Sequence, residues 1–276
     1  MSVPSRLTST GIFLLMALLA CLIAYPFALI ALTAVKSQTD LVSNSFGFPS
    51  SIAWSNFSLV FQQGQIPTAT LYSVVITVLS IIGQLFFGSL AAYALARMRI
   101  VKPALFLTLF LLPLTLSIQG VIVPLYLLFK YLHLLNTVAG VVLIYIGLGM
   151  PLTVFVLTKF MQRIPMEISE SGLIDGANHF QIYTKLILPL VKPALATVVI
   201  VNGLSVWNDF FIPYLFFTSG NVTTLPLSVF TFMREYSSQQ NLISADILYA
   251  VLPAVVVYLF LQRFFIGGAT EGALKG

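Results

Sequence analysis

Six long apolar stretches, separated by short polar segments, dominate this amino-acid sequence. A helix needs about 20 apolar residues to cross the hydrocarbon core of a bilayer, and every stretch reaches that length. Backbone amides that face lipid must be hydrogen-bonded within their own segment, so stretches of this kind fold as helices. The stretches cover residues 11–35, 68–96, 103–129, 136–158, 190–217 and 245–266. The sequence therefore predicts an all-α, polytopic membrane protein, a single transmembrane domain with six spanning helices.

Residues that break or bend a helix stand out in the third and fourth stretches. Pro113 and Pro124 lie in the third, and Pro151 lies in the fourth. Proline removes a helical hydrogen bond and clashes with the preceding turn. We therefore expect the third span to be broken and the fourth to be bent or loosened.

Charged residues are scarce and unevenly placed. They make up 8% of the chain and hydrophobic residues 59%, whereas a soluble domain has about a quarter charged residues. With a cytoplasmic N-terminus, only Lys36, Lys130 and Arg234 of the 13 lysines and arginines fall on the outer side. This is the asymmetry that the positive-inside rule describes. Both termini are thus predicted to be cytoplasmic, and topology accounts for the basic excess without a nucleic-acid partner.

The longest polar segment on the predicted cytoplasmic side is residues 164–189. Pro165 suits the first turn of a helix, and Glu167 with Glu170 places negative charge near the positive helix N-terminus. Gly176 supplies a stop, because glycine adopts the left-handed conformation of a C-terminal cap without steric cost. The segment is therefore predicted to contain a short surface helix.

A second short helix follows in the same segment. Asn178 and Gln181 have the spacing of an N-terminal capping box. Ser171 and Gly172 make one face of the first helix small, which favours close approach by another protein. A solvated loop with a surface helix is the alternative that these residues leave open.

Signatures of enzymatic chemistry are absent from the sequence. It contains no phosphate-binding GxxxxGK[ST] loop, no GxSxG and no HExxH motif. Cys21 stands alone, and His133 and His179 fall on opposite predicted sides of the membrane. Asp209 falls toward the outer leaflet, where it is interpreted as an interfacial or helix-packing residue, whereas ion-coupled carriers keep ionisable groups near the midplane. We expect no catalytic residue and no metal site, and an energy source outside this chain.

The sequence ESGLIDGA at residues 170–177, followed by ILP at 187–189, resembles the EAA loop of bacterial ABC importer permeases. That signature reads E-A-A-x-x-D-G-A, then about nine residues, then I-x-L-P. The segments 207–210, 262–265 and 272–276 resemble the carbohydrate-importer branch, specifically the MalG-like permease subunit. Ser171 and Gly172 replace the two alanines of the family, and both remain small.

This resemblance implies a type I ABC importer permease fold with a cytoplasmic coupling helix in the segment 164–189. It implies a bacterial or archaeal cytoplasmic membrane, a second homologous permease, two ATP-binding cassette ATPases and an extracytoplasmic solute-binding protein that delivers a sugar or oligosaccharide. ATP and Mg would bind to the ATPases, and this chain would bind no cofactor. The residues that it assigns to ATPase coupling are Glu167, Glu170, Ser171, Gly172, Asp175, Gly176 and Ala177.

Three residues in the spans are candidates for the substrate pathway, namely Tyr126, Asn202 and Asn208. An aromatic ring stacks on a sugar face, and amides hydrogen-bond hydroxyl groups. The alternative for each is packing or hydrogen bonding between helices. Two other functions stay open for the whole chain, a self-sufficient channel or secondary carrier and a membrane scaffold without transport.

Overall fold

The fold is described from a computed structural model, in which residues 6–219 and 222–273 are placed. The described residues contain helices and turns but no β-strand. In chain order the α-helices are α1 (Arg6–Ala34), α2 (Gln38–Ser43), α3 (Ser55–Gln63), α4 (Ile66–Arg97), α5 (Pro103–Leu111), α6 (Ile118–Tyr131), α7 (Val138–Gln162), α8 (Glu167–Ile174), α9 (His179–Gln181), α10 (Leu188–Leu190), α11 (Lys192–Asn208), α12 (Phe211–Phe216), α13 (Leu225–Glu235) and α14 (Gln240–Ala273). A 3₁₀ turn at Leu112–Thr115 follows α5, and a π-helical segment at Ile182–Ile187 lies between α9 and α10. The all-α prediction is confirmed, and the last residues of the 272–276 motif lie outside the described part.

Three unbroken helices among the described residues are long and apolar enough to cross a membrane: Gly11–Ala34 within α1, α4 and α7. Two further apolar segments are bent pairs. Helices at Pro103–Thr115 and Ile118–Tyr131 meet at 98°, and helices at His179–Leu190 and Lys192–Asn208 meet at 75°. A shorter apolar part, Gln240–Val256, belongs to α14.

The third and fifth stretches are both divided, and the two breaks predicted for the third differ in outcome. Pro113 lies in the 3₁₀ turn between α5 and α6, so the expected break at this residue is confirmed. The expected break at Pro124 is wrong, because this residue lies inside α6. The fifth stretch divides into α11 and α12 at Asp209, whose carboxylate accepts hydrogen bonds from the backbone N–H of Phe211 at 2.9 Å and of Ile212 at 3.4 Å. This side chain satisfies amides at the start of α12, which would otherwise have no partner.

The chain forms two compact units, one of residues 1–67 with 228–252 and one of residues 68–227 with 253–276. In the first unit the most apolar part of α1 has no buried residue. Its side chains point outward, as with Phe13 at 71% exposure. A helix that is apolar all round and unburied requires lipid or another subunit around it.

Polar side chains hold the rest of the first unit together. The amide of Asn56 donates two hydrogen bonds of 2.8 Å, to the carbonyls of Ala34 and Lys36. Its side-chain oxygen accepts from the amide of Asn241 at 3.2 Å. The ammonium group of the buried Lys36 donates to the carbonyl of Asn44 at 2.6 Å. These bonds fix the ends of α1, α3 and α14 to one another.

The second unit has two hydrophobic clusters, both of which include residues of α4, α7 and α11. One contains Ile76, Phe129, Val141, Val142, Ile144, Tyr145, Val206, Ile212, Phe216, Phe217 and Leu227. The other contains Ala92, Tyr93, Leu157, Met161, Ile182, Tyr183, Ile187, Val191, Ala194 and Val198. Along each of the three shared helices the clusters occupy different ends, so the stretch between them is separate from both. The second cluster includes the π-helical segment and thereby holds the 164–189 loop against the helices.

Candidate functional site

The predicted first helix of the 164–189 loop is α8. It has Glu167 and Glu170 in its first turn, where negative charge favours a helix N-terminus. It ends at Ile174, and the chain then turns at Gly176, whose φ of 80° lies in the left-handed region. The amide of the next residue, Ala177, donates to the carbonyl of Gly172 at 2.9 Å, which satisfies a terminal carbonyl of the helix. The predicted helix and its glycine stop are confirmed.

The second helix of the loop begins with the predicted capping box. The side-chain oxygen of Asn178 accepts from the backbone N–H of Gln181 at 2.9 Å, and the side-chain oxygen of Gln181 accepts from the backbone N–H of Asn178 at 2.9 Å. Both bonds satisfy amides that a helix start leaves open. The chain then passes through the π-helical segment to α10, so the loop is a compact pair of helices.

Gly172 faces inward in this loop. A Cβ atom at this residue would lie 3.0 Å from Cδ1 of Leu186 and 3.1 Å from Cγ1 of Ile182. Glycine therefore lets α8 approach the second helix of its own loop. The small face that the sequence suggests for a partner is, at Gly172, already covered by this chain.

The outward face of the loop is apolar with an acidic border, and we name it the α8 face. Its exposed large hydrophobic residues are Met166, Leu173, Ile174 and Phe180, of which Ile174 is 86% exposed. The side chains of Glu167, Glu170, Ser171 and Asp175 are exposed beside them. Several exposed large apolar side chains beside charged ones in one short loop are typical of a protein–protein contact. Of the seven predicted coupling residues, the structure thus exposes all except Gly172 and the half-buried Ala177.

Buried polar side chains of α4 hold this loop from behind. Arg97 donates to the carbonyls of Met161 and of Ile164, the latter at 2.7 Å, and lies within 3.5 Å of the carbonyl of Pro165. Its guanidinium also lies 3.2 Å from Sδ of Met166. Sequence reasoning assigns Arg97 only to the cytoplasmic charge bias, because its position at the end of an apolar span gives no sign of its partners.

A buried network of hydrogen bonds joins α4, α7 and α11 between the two hydrophobic clusters. Gln84 donates to the carbonyl of Tyr145 at 2.7 Å and accepts from the amide of Asn202 at 2.8 Å. The same amide lies 3.0 Å from Oγ1 of Thr153 and 3.3 Å from the carbonyl of Gly149. The sequence gives one sign of this network, because Gln84 is the one glutamine in the second apolar stretch. The network fixes three helices at one level.

The three predicted pathway residues lie in different surroundings. Asn202 is buried, and its amide is used in the network. Tyr126 is half-buried with its ring centroid 5.8 Å from that of Phe216. Asn208 is exposed at the last residue of α11. The structure does not gather them into one site, and their role in a pathway stays a prediction.

The carboxylate of Asp209 is hydrogen-bonded, which offsets the cost of placing a charged group within the membrane. Its carboxylate accepts a hydrogen bond of 2.8 Å from the hydroxyl of Tyr145 and caps α12. Its interpretation as a helix-packing aspartate agrees with these contacts. No group of three or more metal-ligating side chains occurs in the part of the chain that the structure describes.

Apolar helices bent at defined breaks, together with a compact polar loop that exposes apolar side chains, define a multi-pass membrane protein. Residues 84–268 match the family described as the binding-protein-dependent transport system inner membrane component, and the chain belongs to that family. The predicted resemblance to permeases of ABC importers is thereby confirmed.

Several relatives match nearly the whole chain. The chain is 35% identical over 270 residues to the melibiose/raffinose/stachyose import permease protein MelC of Bacillus subtilis, covering 96% of each chain. It is 33% identical to a putative ABC transporter permease protein of Caldicellulosiruptor, covering 98% of each. It is 32% identical to a probable starch degradation products transport system permease protein, AmyC, of Thermoanaerobacterium thermosulfurigenes, covering 91% of each.

A solved structure shares the fold. A chain in the crystal structure of a bacterial ABC transporter involved in the import of the acidic polysaccharide alginate matches with a TM-score of 0.82 and 22% identity. The match covers 96% of this chain and 100% of that one. The fold is therefore that of an ABC importer permease.

Proposed function

We propose that this chain is the non-catalytic permease subunit of an ATP-driven, binding-protein-dependent importer of a sugar or oligosaccharide. Relatives whose names specify melibiose, raffinose, stachyose and starch degradation products support the substrate class. The chain pairs with a second, homologous permease to enclose the pathway. A solute-binding protein delivers the sugar on the outer side, and the positive-inside distribution supports cytoplasmic termini.

The exposed α8 face carries this proposal. Two ATPase subunits bind ATP and Mg, and one of them binds the α8 face of this chain. Ile174 is 86% exposed at the end of α8, and burying such a side chain contributes about 1.5–3 kcal/mol. The carboxylates of Glu167, Glu170 and Asp175 are exposed on the same short segment and suit basic residues on the partner. Gly172, Gly176 and Ala177 act indirectly, because they shape the loop that presents this face.

Co-purification tests the ATPase contact. Ile174→Asp places a charge in the apolar centre of the α8 face, and we expect ATPase affinity to fall at least about tenfold, which corresponds to about 1.4 kcal/mol. Val101→Asp is the matched control, since Val101 is 81% exposed in the turn after α4 and lies outside the loop. Equal recovery of ATPase with both variants would contradict the proposal.

Uptake assays test the transport function. The permease pair, the ATPases and the binding protein are reconstituted in liposomes with labelled melibiose, raffinose, maltose and arabinose oligosaccharides in turn. We expect uptake of at least one sugar that requires both ATP and the binding protein. Uptake by this chain alone, without ATPases, would favour a self-sufficient carrier instead.

A further inference from the structure

Four buried polar residues follow one another along α4 at steps of four or five residues: Gln84, Ser89, Tyr93 and Arg97. Residues four apart lie near one another on one face of a helix, so Ser89, Tyr93 and Arg97 share a face. Each of them bonds to a different part of the second unit. α4 is therefore attached both to the 164–189 loop and to the buried network.

The attachment at Arg97 involves the connection between α7 and α8. The last carbonyls of a helix have no partner within that helix. The guanidinium donates to two carbonyls at this connection, those of Met161 and Ile164, and approaches a third, that of Pro165. A positive charge is favourable at a helix C-terminus. One side chain of α4 thus binds the end of α7 and the residues that lead into α8.

The second attachment reaches the other helix of the loop. The hydroxyl oxygens of Ser89 and Tyr183 lie 2.7 Å apart in a buried hydrogen bond. The rings of Tyr93 and Tyr183 have centroids 5.3 Å apart, and the hydroxyl of Tyr93 lies 3.4 Å from Nδ1 of His179. Tyr183 belongs to the π-helical segment, a rare geometry that often occurs at functional sites.

The third attachment lies deeper, at Gln84, which bonds to α7 and α11 through Tyr145 and Asn202. A rigid helix that is bonded at two points, here at Gln84 near its middle and at Arg97, its last residue, transmits a displacement from one point to the other. A displacement of the loop therefore reaches the level of the membrane where α4, α7 and α11 are joined.

We propose that Arg97 is a positioning residue that makes α4 move together with the 164–189 loop, and that the Ser89–Tyr183 hydrogen bond is a second link between them. This inference rests on the proposed binding of an ATPase to the α8 face. Arginine is suited to this role because its planar fork donates to several carbonyls at once, whereas lysine is a single point donor. Arg99, two residues further on, is exposed and serves as the matched control.

Hydrogen–deuterium exchange on the assembled importer in nanodiscs tests whether α4 and the 164–189 loop move together. Exchange is compared without nucleotide and after trapping with MgATP and vanadate, in peptides that cover residues 90–100 and 164–177. In the unchanged protein we expect nucleotide to alter exchange in both peptides. In Arg97→Gln we expect the effect at 164–177 to persist and the effect at 90–100 to be lost, with partial loss in Arg97→Lys and no loss in Arg99→Gln.

The outcomes are distinguishable. A purely structural role for Arg97 would raise exchange equally with and without nucleotide and leave the difference at 90–100 intact, which would overturn the inference. Where Arg97→Gln does not assemble, Tyr183→Phe removes one hydroxyl and keeps the tilted ring contact with Tyr93, and we expect it to weaken the nucleotide effect at 90–100. An unaltered effect in that variant would equally overturn the inference. Absence of any nucleotide effect at 164–177 in the unchanged protein would instead refute the proposed ATPase contact.

Discussion

The side-chain amide of Asn202 on α11 donates a hydrogen bond of 2.8 Å to the side-chain oxygen of Gln84 on α4. Both residues are buried, at 6% and 1% exposure. Away from water, a polar group without a partner is costly, so such a pair stabilises one arrangement of the helices over others. The pair lies on the level where α7 also joins, through Thr153.

Asn202→Ala removes this amide and leaves the oxygen of Gln84 without that donor. Hydrogen bonds between membrane helices contribute about 0.6 kcal/mol on average and up to about 1.7 kcal/mol. We expect a loss at the upper end of this range, because one amide has three acceptors within 3.3 Å. The loss of stability is measured as a lower melting temperature in detergent. Ser205→Ala is the control on the same helix, since Ser205 is exposed and donates to Val201 of its own turn; equal melting temperatures for the two variants would refute the prediction.

Gly149→Ala tests the close approach of α4 and α7. A Cβ atom at Gly149 would lie 2.2 Å from Cδ of Gln84, so the amide must move away from its hydrogen-bond partners, the carbonyl of Tyr145 and the amide of Asn202. Overpacking of this kind costs about 1–3 kcal/mol. Gly147 lies two residues away on the same helix, and a Cβ atom there would meet no neighbouring helix or side chain within 4 Å. We expect Gly147→Ala to melt like the unchanged protein and Gly149→Ala to melt lower; the reverse order would show that the helices are not in this contact.

Asp40 gives the first unit a predicted dependence on pH. Its pKa is lowered, chiefly by the backbone N–H of Ser50 at 2.9 Å, then by the hydroxyl of Ser50, with Lys36 adding a smaller effect in the same direction. A lowered pKa means that the stabilisation is present above the unfolded value, which is about 3.9 for Asp, and is lost as the pH falls through the lower folded value. We expect protease cleavage within residues 38–54 to accelerate below about pH 4. In Asp40→Asn cleavage should be fast at neutral pH and vary less with pH, and an identical pH profile in both proteins would contradict this.

The helical class and the loop could be predicted because their causes are local. Apolar length dictates helices in lipid, and the stop at Gly176 and the cap at Asn178 depend on residues at most three positions away. The break at Pro113 also follows from one residue.

Long-range partners could not be predicted in the same way. Arg97 bonds to residues 64 to 68 positions away, and Asn202 bonds to Gln84 at a separation of 118. Nothing at either position indicates which helix it will face. Gly172 shows the same limit, because its small size predicts close contact but does not say whether Ile182 of its own loop or another protein fills the space.

The 164–189 loop depends on the left-handed backbone at Gly176, where φ is 80°. A β-branched residue in this conformation is strained, and the left-handed region costs an L-residue about 1–2 kcal/mol. Asparagine tolerates it better, so Gly176→Asn is the matched control for Gly176→Val. We expect the valine variant to loosen the end of α8 and to raise the rate of trypsin cleavage after the exposed Lys185 in inside-out membrane vesicles. We also expect less ATPase to co-purify with the valine variant, because a loosened end of α8 no longer holds the α8 face in one conformation. Valine and asparagine variants with the same cleavage rate would show that the helix end does not depend on this conformation.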